Sequence, residues 1–141
     1  MKLATLAWLA AAVLVPAAAS ADLLSFRVHL NGASEVPPVT TDAKGSAIAG
    51  YDSTTKEFNW IINYSGLSGP VTAAEFHGPA AKDATAPVLF TISGDLASPM
   101  KGTATLTDDQ AKALAAGLIY INLITAAHPD GEIRSQVIPS T

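Results

Sequence analysis

Residues 57–64 read Glu-Phe-Asn-Trp-Ile-Ile-Asn-Tyr, and this stretch shows most clearly what kind of fold the chain adopts. Phe58, Trp60, Ile62 and Tyr64 occupy every second position, and polar side chains stand between most of them. A period of two places alternate side chains on opposite faces of a β-strand, so that one face packs on a core and the other faces solvent. The stretch therefore predicts a half-buried β-strand.

Similar segments recur along the chain, and turn clusters rich in Gly, Pro, Ser and Asp, among them Pro129-Asp130-Gly131, separate them. About eight short strands with frequent turns are typical of a sandwich or barrel. We therefore predict a mainly β fold, an antiparallel β-sandwich or barrel of about eight short strands with Greek-key-like connections. The other predicted strands lie at Phe26–Leu30, Gly45–Tyr51, Val71–His77, Val88–Ile92, Lys101–Leu106, Ile119–Leu123 and Ile133–Val137.

One segment departs from the period of two and predicts a short helix at about residues 108–116. Thr107 can cap its N-terminus, and Gln110 stands at the capping-box position three residues later. Asp108 and Asp109 favour the positive end of the helix dipole. Gly117 suits the left-handed conformation that closes many helices.

The N-terminus has the three zones of a secretory signal peptide. Lys2 is followed by an apolar run from Leu6 to Pro16 and by Ala19-Ser20-Ala21, the small-x-small pattern that signal peptidase accepts. The alternative is a membrane anchor, but the run is shorter than the ~20 residues that cross a bilayer. We predict that residues 1–21 are a cleaved signal peptide and that residues 22–141 form one domain, periplasmic or secreted.

Charge and cysteine usage narrow the classes of partner and chemistry. The eight basic residues fall to seven when Lys2 is removed, against twelve acidic ones, for a net charge of −5. This balance argues against nucleic acid and against membrane as partners after cleavage. The chain has no cysteine, which excludes thiol catalysis, zinc–thiolate sites and blue-copper chemistry.

Glu75 and His77 form the first candidate site. Two residues apart on a strand, they point to the same face, and a carboxylate with an imidazole could hold a divalent metal such as copper or zinc. Two ligands do not complete a site, and other donors such as His29 or His128 are distant in sequence. The alternative is that His77 caps the turn at residues 78–79 while Glu75 faces solvent.

Glu35, Glu132 and Arg134 form the second candidate site. Glu35 opens the segment Glu-Val-Pro-Pro-Val, in which paired prolines stiffen a loop and remove backbone donors. This loop either pins a sheet edge or presents Glu35 to a partner. Arg134 could pair with Glu132 or with Glu35, as a structural salt bridge or as a ligand contact.

The sequence contains none of the common catalytic motifs: no Gly-x-Ser-x-Gly, no His-Glu-x-x-His and no glycine-rich phosphate loop. A hydrolase would need two carboxylates about 5–10 Å apart in a cleft. Glu35, Glu75 and Glu132 are the available candidates, but nothing in their spacing shows that they converge. We therefore expect no catalytic residues and no cofactor, and a protein that is not an enzyme.

Several separate segments, in the same order, resemble the CHRD domain, which is named from chordin and also occurs alone in exported bacterial proteins. The resemblance covers about residues 26–137 and implies an extracellular binding role, because chordin sequesters a growth factor. The matching residues are Leu30–Val39, Tyr64–Gly69, His77–Ala80, Gly131–Arg134, Gly117, Tyr120, Asn122 and Thr125.

The departures from the family pattern concern its histidines. Members commonly read His-x-His-Gly-Pro where this chain has Glu75 before His77, and Asn-Val-His-Thr where it has Ile124. They usually carry Gly where Ser135 stands. Only His77 is carried over as a candidate ligand, so the leading hypothesis is a non-catalytic binding or structural module for an extracytoplasmic protein or polymer. The alternative is a periplasmic protein that binds copper or zinc through His77 and Glu75.

Overall fold

A computed structural model describes residues 10–13 and 22–140. The predicted signal peptide, residues 1–21, lies outside the described residues except for residues 10–13, so it stays a prediction. None of the described helices is long and apolar enough to span a bilayer.

Within residues 22–140, eight strands and one α-helix make up the regular structure, and a 3-10 turn follows the first strand. The prediction of a mainly β fold with about eight antiparallel strands and one helix is confirmed. The bounds are β1 Leu23–Asn31, 3-10 turn Gly32–Ser34, β2 Lys44–Asp52, β3 Glu57–Ser65, β4 Val71–His77, β5 Val88–Thr91, β6 Met100–Thr105, α1 Asp108–Ala115, β7 Tyr120–Thr125 and β8 His128–Gln136.

All eight strands belong to one antiparallel sheet in the order β5-β4-β7-β8-β1-β2-β3-β6, which curls into a half-barrel. β5 and β6 follow one another in sequence but lie at opposite edges of the sheet. β1 meets β8 through the pair Asn31 and Arg134. This pairing joins the first strand of the chain to the last and brings together the segments that flank them.

The core lies on the concave side of the curled sheet, and aromatic side chains from distant strands meet there. Trp60 on β3 lies 5.0 Å, centroid to centroid, from Phe76 on β4 and 5.8 Å from Phe90 on β5. Phe58 and Phe26 pack edge to face at 6.0 Å. Large aromatic surfaces contribute most to the burial that stabilises such a core. The curl of the sheet brings β3, near one edge, into contact with β4 and β5 at the other edge.

The helix begins and ends as the sequence predicts. The Thr107 side chain accepts from the backbone N–H of Gln110, and the Gln110 side chain accepts from that of Thr107, so the capping box is complete. Gly117 follows the helix with a φ of +72°. This conformation favours glycine and ends the helix.

The hairpin between β7 and β8 differs from the expectation. Pro129-Asp130-Gly131 predicts a turn, but the turn lies at residues 126–127 and β8 begins at His128. The register between the two strands shifts near Leu123, and Gly131 has a φ of +121°. Residues 129–131 therefore lie in an irregular part of β8 and not in the turn between the strands. Where a strand carries an extra residue, as in a β-bulge, glycine is often favoured.

Candidate ligand pocket

Alternation along the strands gives the sheet a polar face opposite the core. We call this surface the polar face; it carries Glu75 and His77 on β4, Tyr120 and Asn122 on β7, and Arg134 and Gln136 on β8. Two loops cover it, residues 32–43 after β1 and residues 78–87 after β4. Much of the polar face is consequently buried although it is the outer side of the sheet.

Side chains of the polar face hold the loop of residues 78–87 in place. Gln136 Nε2 donates to the carbonyl of Ala80 at 2.6 Å, and Arg134 Nη2 donates to that of Ala81 at 3.2 Å. The Tyr120 hydroxyl accepts from the Ala86 N–H at 3.1 Å and donates to its carbonyl at 3.2 Å. The loop is thereby fixed at both ends.

The loop of residues 32–43 folds back on itself at Gly32. The Gly32 carbonyl accepts from the N–H groups of Glu35, at 3.1 Å, and Val39, at 2.9 Å. A Cβ at Gly32 would collide with the Val39 carbonyl and with Thr41. This tight closure directs Glu35, which is only 6% exposed, towards the polar face.

A pocket of about 370 Å³ opens between the two loops. It combines apolar side chains from the first loop with charged and polar ones from the second loop and from β8. Its floor includes Arg134, and its rim includes the exposed Lys82 and Asp83. The lining residues are Ala33, Ser34, Glu35, Val36, Pro38, Lys82, Asp83, Arg134 and Gln136.

Arg134 is the most unusual group in this pocket, because its charge is 1% exposed and has no close counter-charge. Within the described part of the chain, no carboxylate lies within 4.0 Å of the guanidinium. Its Cζ lies 3.5 Å from the centroid of the Tyr120 ring, a cation–π contact. Burial lowers the pKa of Arg134, while Tyr120 and Glu35 act in the opposite direction. The predicted pairing with Glu132 or Glu35 therefore does not form as a direct salt bridge.

Glu35 is buried without adequate hydrogen bonding. Its Oε1 atom finds no partner among the described residues, and the same holds for Asn122 Oδ1. The two oxygens crowd under Gly131: a Cβ there would lie 2.6 Å from Glu35 Oε1 and closer still to Asn122 Oδ1. Burial raises the pKa of Glu35 to about 7, opposed by Arg134 and reinforced by Asp130.

Glu132 is also buried, but its carboxylate is fully engaged. Oε1 accepts from the hydroxyls of Ser68, at 2.5 Å, and Thr125, at 2.8 Å, and Oε2 accepts from the hydroxyl of Thr41 at 2.8 Å. Burial alone would raise the pKa of Glu132, yet these hydrogen bonds and one from the Ser68 N–H hold it below its usual value. Glu132 therefore anchors two loops and does not join Arg134.

Glu75 and His77 lie side by side on the polar face. His77 Nε2 is 3.7 Å from Glu75 Oε1 and has no hydrogen-bond partner in the described chain. Nδ1 lies 2.8 Å from the Ala86 carbonyl, and the ring stacks on Tyr120 at 4.8 Å. The alternative prediction is that His77 caps the turn at residues 78–79. The ring instead contacts the Ala86 carbonyl, farther along the same loop. Over residues 10–13 and 22–140, no group of three or more His, Asp or Glu side chains is arranged to hold a metal ion.

The structure thus brings Glu35 and Arg134 to one pocket, places Glu75 and His77 beside it, and separates Glu132 from both. Sequence reasoning did not assign Gln136, Lys82 or Asp83 to the site. Gln136 could have been found, because it lies two residues after Arg134 on the same strand. Lys82 and Asp83 lie in a loop without periodicity, where no local signal points to the pocket.

A family model described as CHRD domain matches residues 26–137. No curated protein and no solved structure matches the chain.

Proposed function

Since this chain belongs to the CHRD domain family, we propose that it is a non-catalytic binding module whose pocket holds part of an extracytoplasmic protein or polymer. One observation carries the proposal. The pocket between the two loops buries an arginine without a counter-ion and a glutamate with an unpartnered oxygen. Buried polar groups are normally satisfied within a protein, so unsatisfied groups that line a pocket point to a ligand.

The arrangement of the glutamates supports a binding role over catalysis. Glu132 is engaged by three hydroxyl groups and lines neither this pocket nor a cleft with Glu35. Glu75 contacts His77 and is likewise absent from the pocket lining. Glu132 and Glu75 are therefore engaged elsewhere, and the three carboxylates that a hydrolase could use lie in separate surroundings. The net negative charge supports neither nucleic acid nor an anionic membrane as the partner.

Site-specific photocrosslinking tests the binding role. A photoreactive phenylalanine analogue placed at Lys82, on the pocket rim, is compared with the same analogue at Lys101, an exposed residue on edge strand β6. In cells that produce the full chain, we expect crosslinked species from position 82 and not from position 101. Loss of these species upon Val36→Asp, which places a charge in the pocket wall, would identify the pocket as the contact. Equal crosslinking from both positions, or none from either, would overturn the proposal.

The proposal includes export to the periplasm or the medium, for which the N-terminal pattern of the sequence is the support. We expect the protein recovered outside the cytoplasm to begin at Asp22. N-terminal sequencing or intact mass measures this directly, and recovery of the uncut chain from the cytoplasm would contradict it.

Binding of copper or zinc at His77 and Glu75 is a second candidate function. The observation in its favour is that His77 Nε2 is unpartnered and 3.7 Å from Glu75 Oε1, while the contact of Nδ1 with the Ala86 carbonyl orients the ring. Histidine ligands are commonly oriented in this way by a carbonyl on the other ring nitrogen. Among the residues that the structure describes, these two would supply the ligands, and water would complete the coordination shell.

Calorimetric titration with Cu²⁺ and Zn²⁺ separates the two candidates. Metal binding predicts a 1:1 heat change that His77→Gln abolishes and that His29→Gln, at a site away from β4, leaves unchanged. No heat at submillimolar metal would eliminate this second candidate and leave the first intact.

A further inference from the structure

We infer that the pocket binds an organic carboxylate, with the anionic group on Arg134, apolar atoms against Val36 and Pro38, and Glu35 as an internal competitor for the arginine. This inference rests on the proposed binding function and names the chemical class of its ligand.

The case for an anion begins with the hydrogen bonds of Arg134. With the described residues, Arg134 forms two side-chain hydrogen bonds. Nη2 donates both of them, one to the Ala81 carbonyl and one to Gln136 Oε1, each at 3.2 Å. A guanidinium carries five N–H donors in a planar fork that matches a carboxylate. Nε and Nη1 therefore keep donors to offer, and a buried cation without a counter-charge is costly. An anion in the pocket would supply the missing partner.

The case for an organic ligand comes from the remainder of the lining. Ala33, Val36 and Pro38 form an apolar wall from the first loop, and Arg134 and Gln136 come from β8. Small-molecule sites commonly combine apolar walls with a few placed polar groups. Lys82 at the rim would attract an acid, although the neighbouring Asp83 offsets part of its charge. A carboxylate with an attached apolar group fits this combination better than an inorganic anion does.

Glu35 makes the binding depend on protons. When ionised, its carboxylate supplies a negative charge near Arg134 and repels a second carboxylate in the same pocket. When protonated, it leaves the positive field of Arg134 to the ligand. The other charged or titratable groups around Glu35 are Asp130 and His128 on β8 and Lys82 and Asp83 on the second loop. Binding of the carboxylate should therefore be accompanied by proton uptake at Glu35.

NMR titration of the purified protein with benzoate tests the inference, with benzamide as a neutral ligand of the same shape. We expect benzoate to shift the backbone signals of Val36, Lys82 and Gln136, and benzamide to bind at least tenfold more weakly. Between pH 6 and pH 8 the affinity for benzoate should fall about tenfold, because only molecules with a protonated Glu35 are fully competent to bind. Equal binding of benzoate and benzamide would overturn the inference.

Two variants keep the test decisive. Glu35→Gln should bind benzoate at pH 8 as tightly as the wild type does at pH 6, with no pH dependence. Lys82→Ala, an exposed change that leaves the fold intact, should weaken benzoate binding several-fold and leave benzamide unaffected. An unchanged pH profile in Glu35→Gln would refute the role of Glu35 as competitor.

A second pair of probes, N-acetylphenylalanine and its amide, identifies the source of the carboxylate. Tighter binding of N-acetylphenylalanine than of benzoate would indicate the C-terminus of a polypeptide, and the reverse order would indicate a small organic acid. Both orders support a carboxylate ligand, but only the first supports a protein as its source. If photocrosslinking from position 82 succeeds while none of these acids binds, the carboxylate inference fails and the proposed binding function stands.

Discussion

Glu132, on β8, and Glu35, which packs against the β7–β8 hairpin, are both buried glutamates, yet they differ in hydrogen bonding. Glu132 accepts hydrogen bonds from Thr41, Ser68 and Thr125, and its pKa is lowered. Glu35 has an unpartnered Oε1, and its pKa is raised to about 7. The comparison shows that burial by itself does not define a functional carboxylate. A buried carboxylate whose hydrogen bonds are complete stabilises the fold, whereas one left unsatisfied has a raised pKa and can take up a proton near neutral pH.

The largest effect should come from Glu132→Gln. The amide would place two N–H donors among hydroxyl and N–H groups that already donate, so we expect a loss of about 3 kcal/mol in the free energy of unfolding. Urea denaturation measures it, with Glu35→Gln as the matched control, for which we expect a change within about 1 kcal/mol at pH 7. Equal losses in the two variants would contradict the assignment of distinct roles.

Gly131→Ala should be nearly as damaging, because Gly131 lies over both Glu35 and Asn122. The substitution combines backbone strain at a φ of +121° with a collision against both side chains, for an expected loss of about 3 kcal/mol. Gly94→Ala is the control: its φ is +90°, but nothing lies within 4 Å of a Cβ there, and only about 1 kcal/mol should be lost. Similar losses in thermal or urea unfolding would show that the collision is unimportant.

The two glutamates should also give stability opposite dependences on pH. Because the folded-state pKa of Glu35 is about 7, above its ordinary 4.5, folding takes up a proton between these values. The stabilisation from protonated Glu35 is complete below pH 4.5 and is lost as pH rises through 7, by about 2 kcal/mol after screening by water in the pocket. For Glu132 the lowered pKa adds stability above pH 4.5 that is lost in acid.

Urea midpoints measured from pH 4 to pH 8 separate these contributions. The difference between wild type and Glu35→Gln should decline as pH rises from 4.5 to 7, since the amide does not titrate. A difference that stays constant over this range would show that Glu35 titrates normally in the folded protein.

Tyr120→Phe should have the smallest effect, and it tests how the loop of residues 78–87 is held on the sheet. It removes both hydrogen bonds between the Tyr120 hydroxyl and Ala86, at an expected cost of about 1 kcal/mol. Amide exchange at Ala86 should accelerate, while exchange around Glu132 stays unchanged. Tyr64→Phe, which loses a bond to the Leu96 carbonyl, is the control and should leave Ala86 unaffected. Faster exchange at both sites would indicate general loosening of the sheet.

Much of the fold could be predicted because its signals are local. Alternation at Phe58, Trp60 and Ile62 identifies β3, and the capping box at Thr107 and Gln110 identifies the helix. The β7–β8 hairpin was misplaced for the same reason, since Pro129-Asp130-Gly131 resembles a turn when only neighbouring residues are considered. Glycine is required at position 131 by the close approach of Asn122, on the paired strand, and of Glu35, which is distant in sequence.

The sequence by itself determined the class of fold, the positions of most of its elements, the absence of cysteine chemistry and the family, because periodicity, caps, composition and short motifs are carried by neighbouring residues. Only the tertiary structure decided which candidate residues share a site. The pairing of Asn31 with Arg134 brings the loop that carries Glu35 over β8. The carboxylate of Glu132, two residues from Arg134, is instead held by Thr41, Ser68 and Thr125 outside the pocket. Such pairings depend on how distant strands pack around one core, and this information is spread over the whole chain.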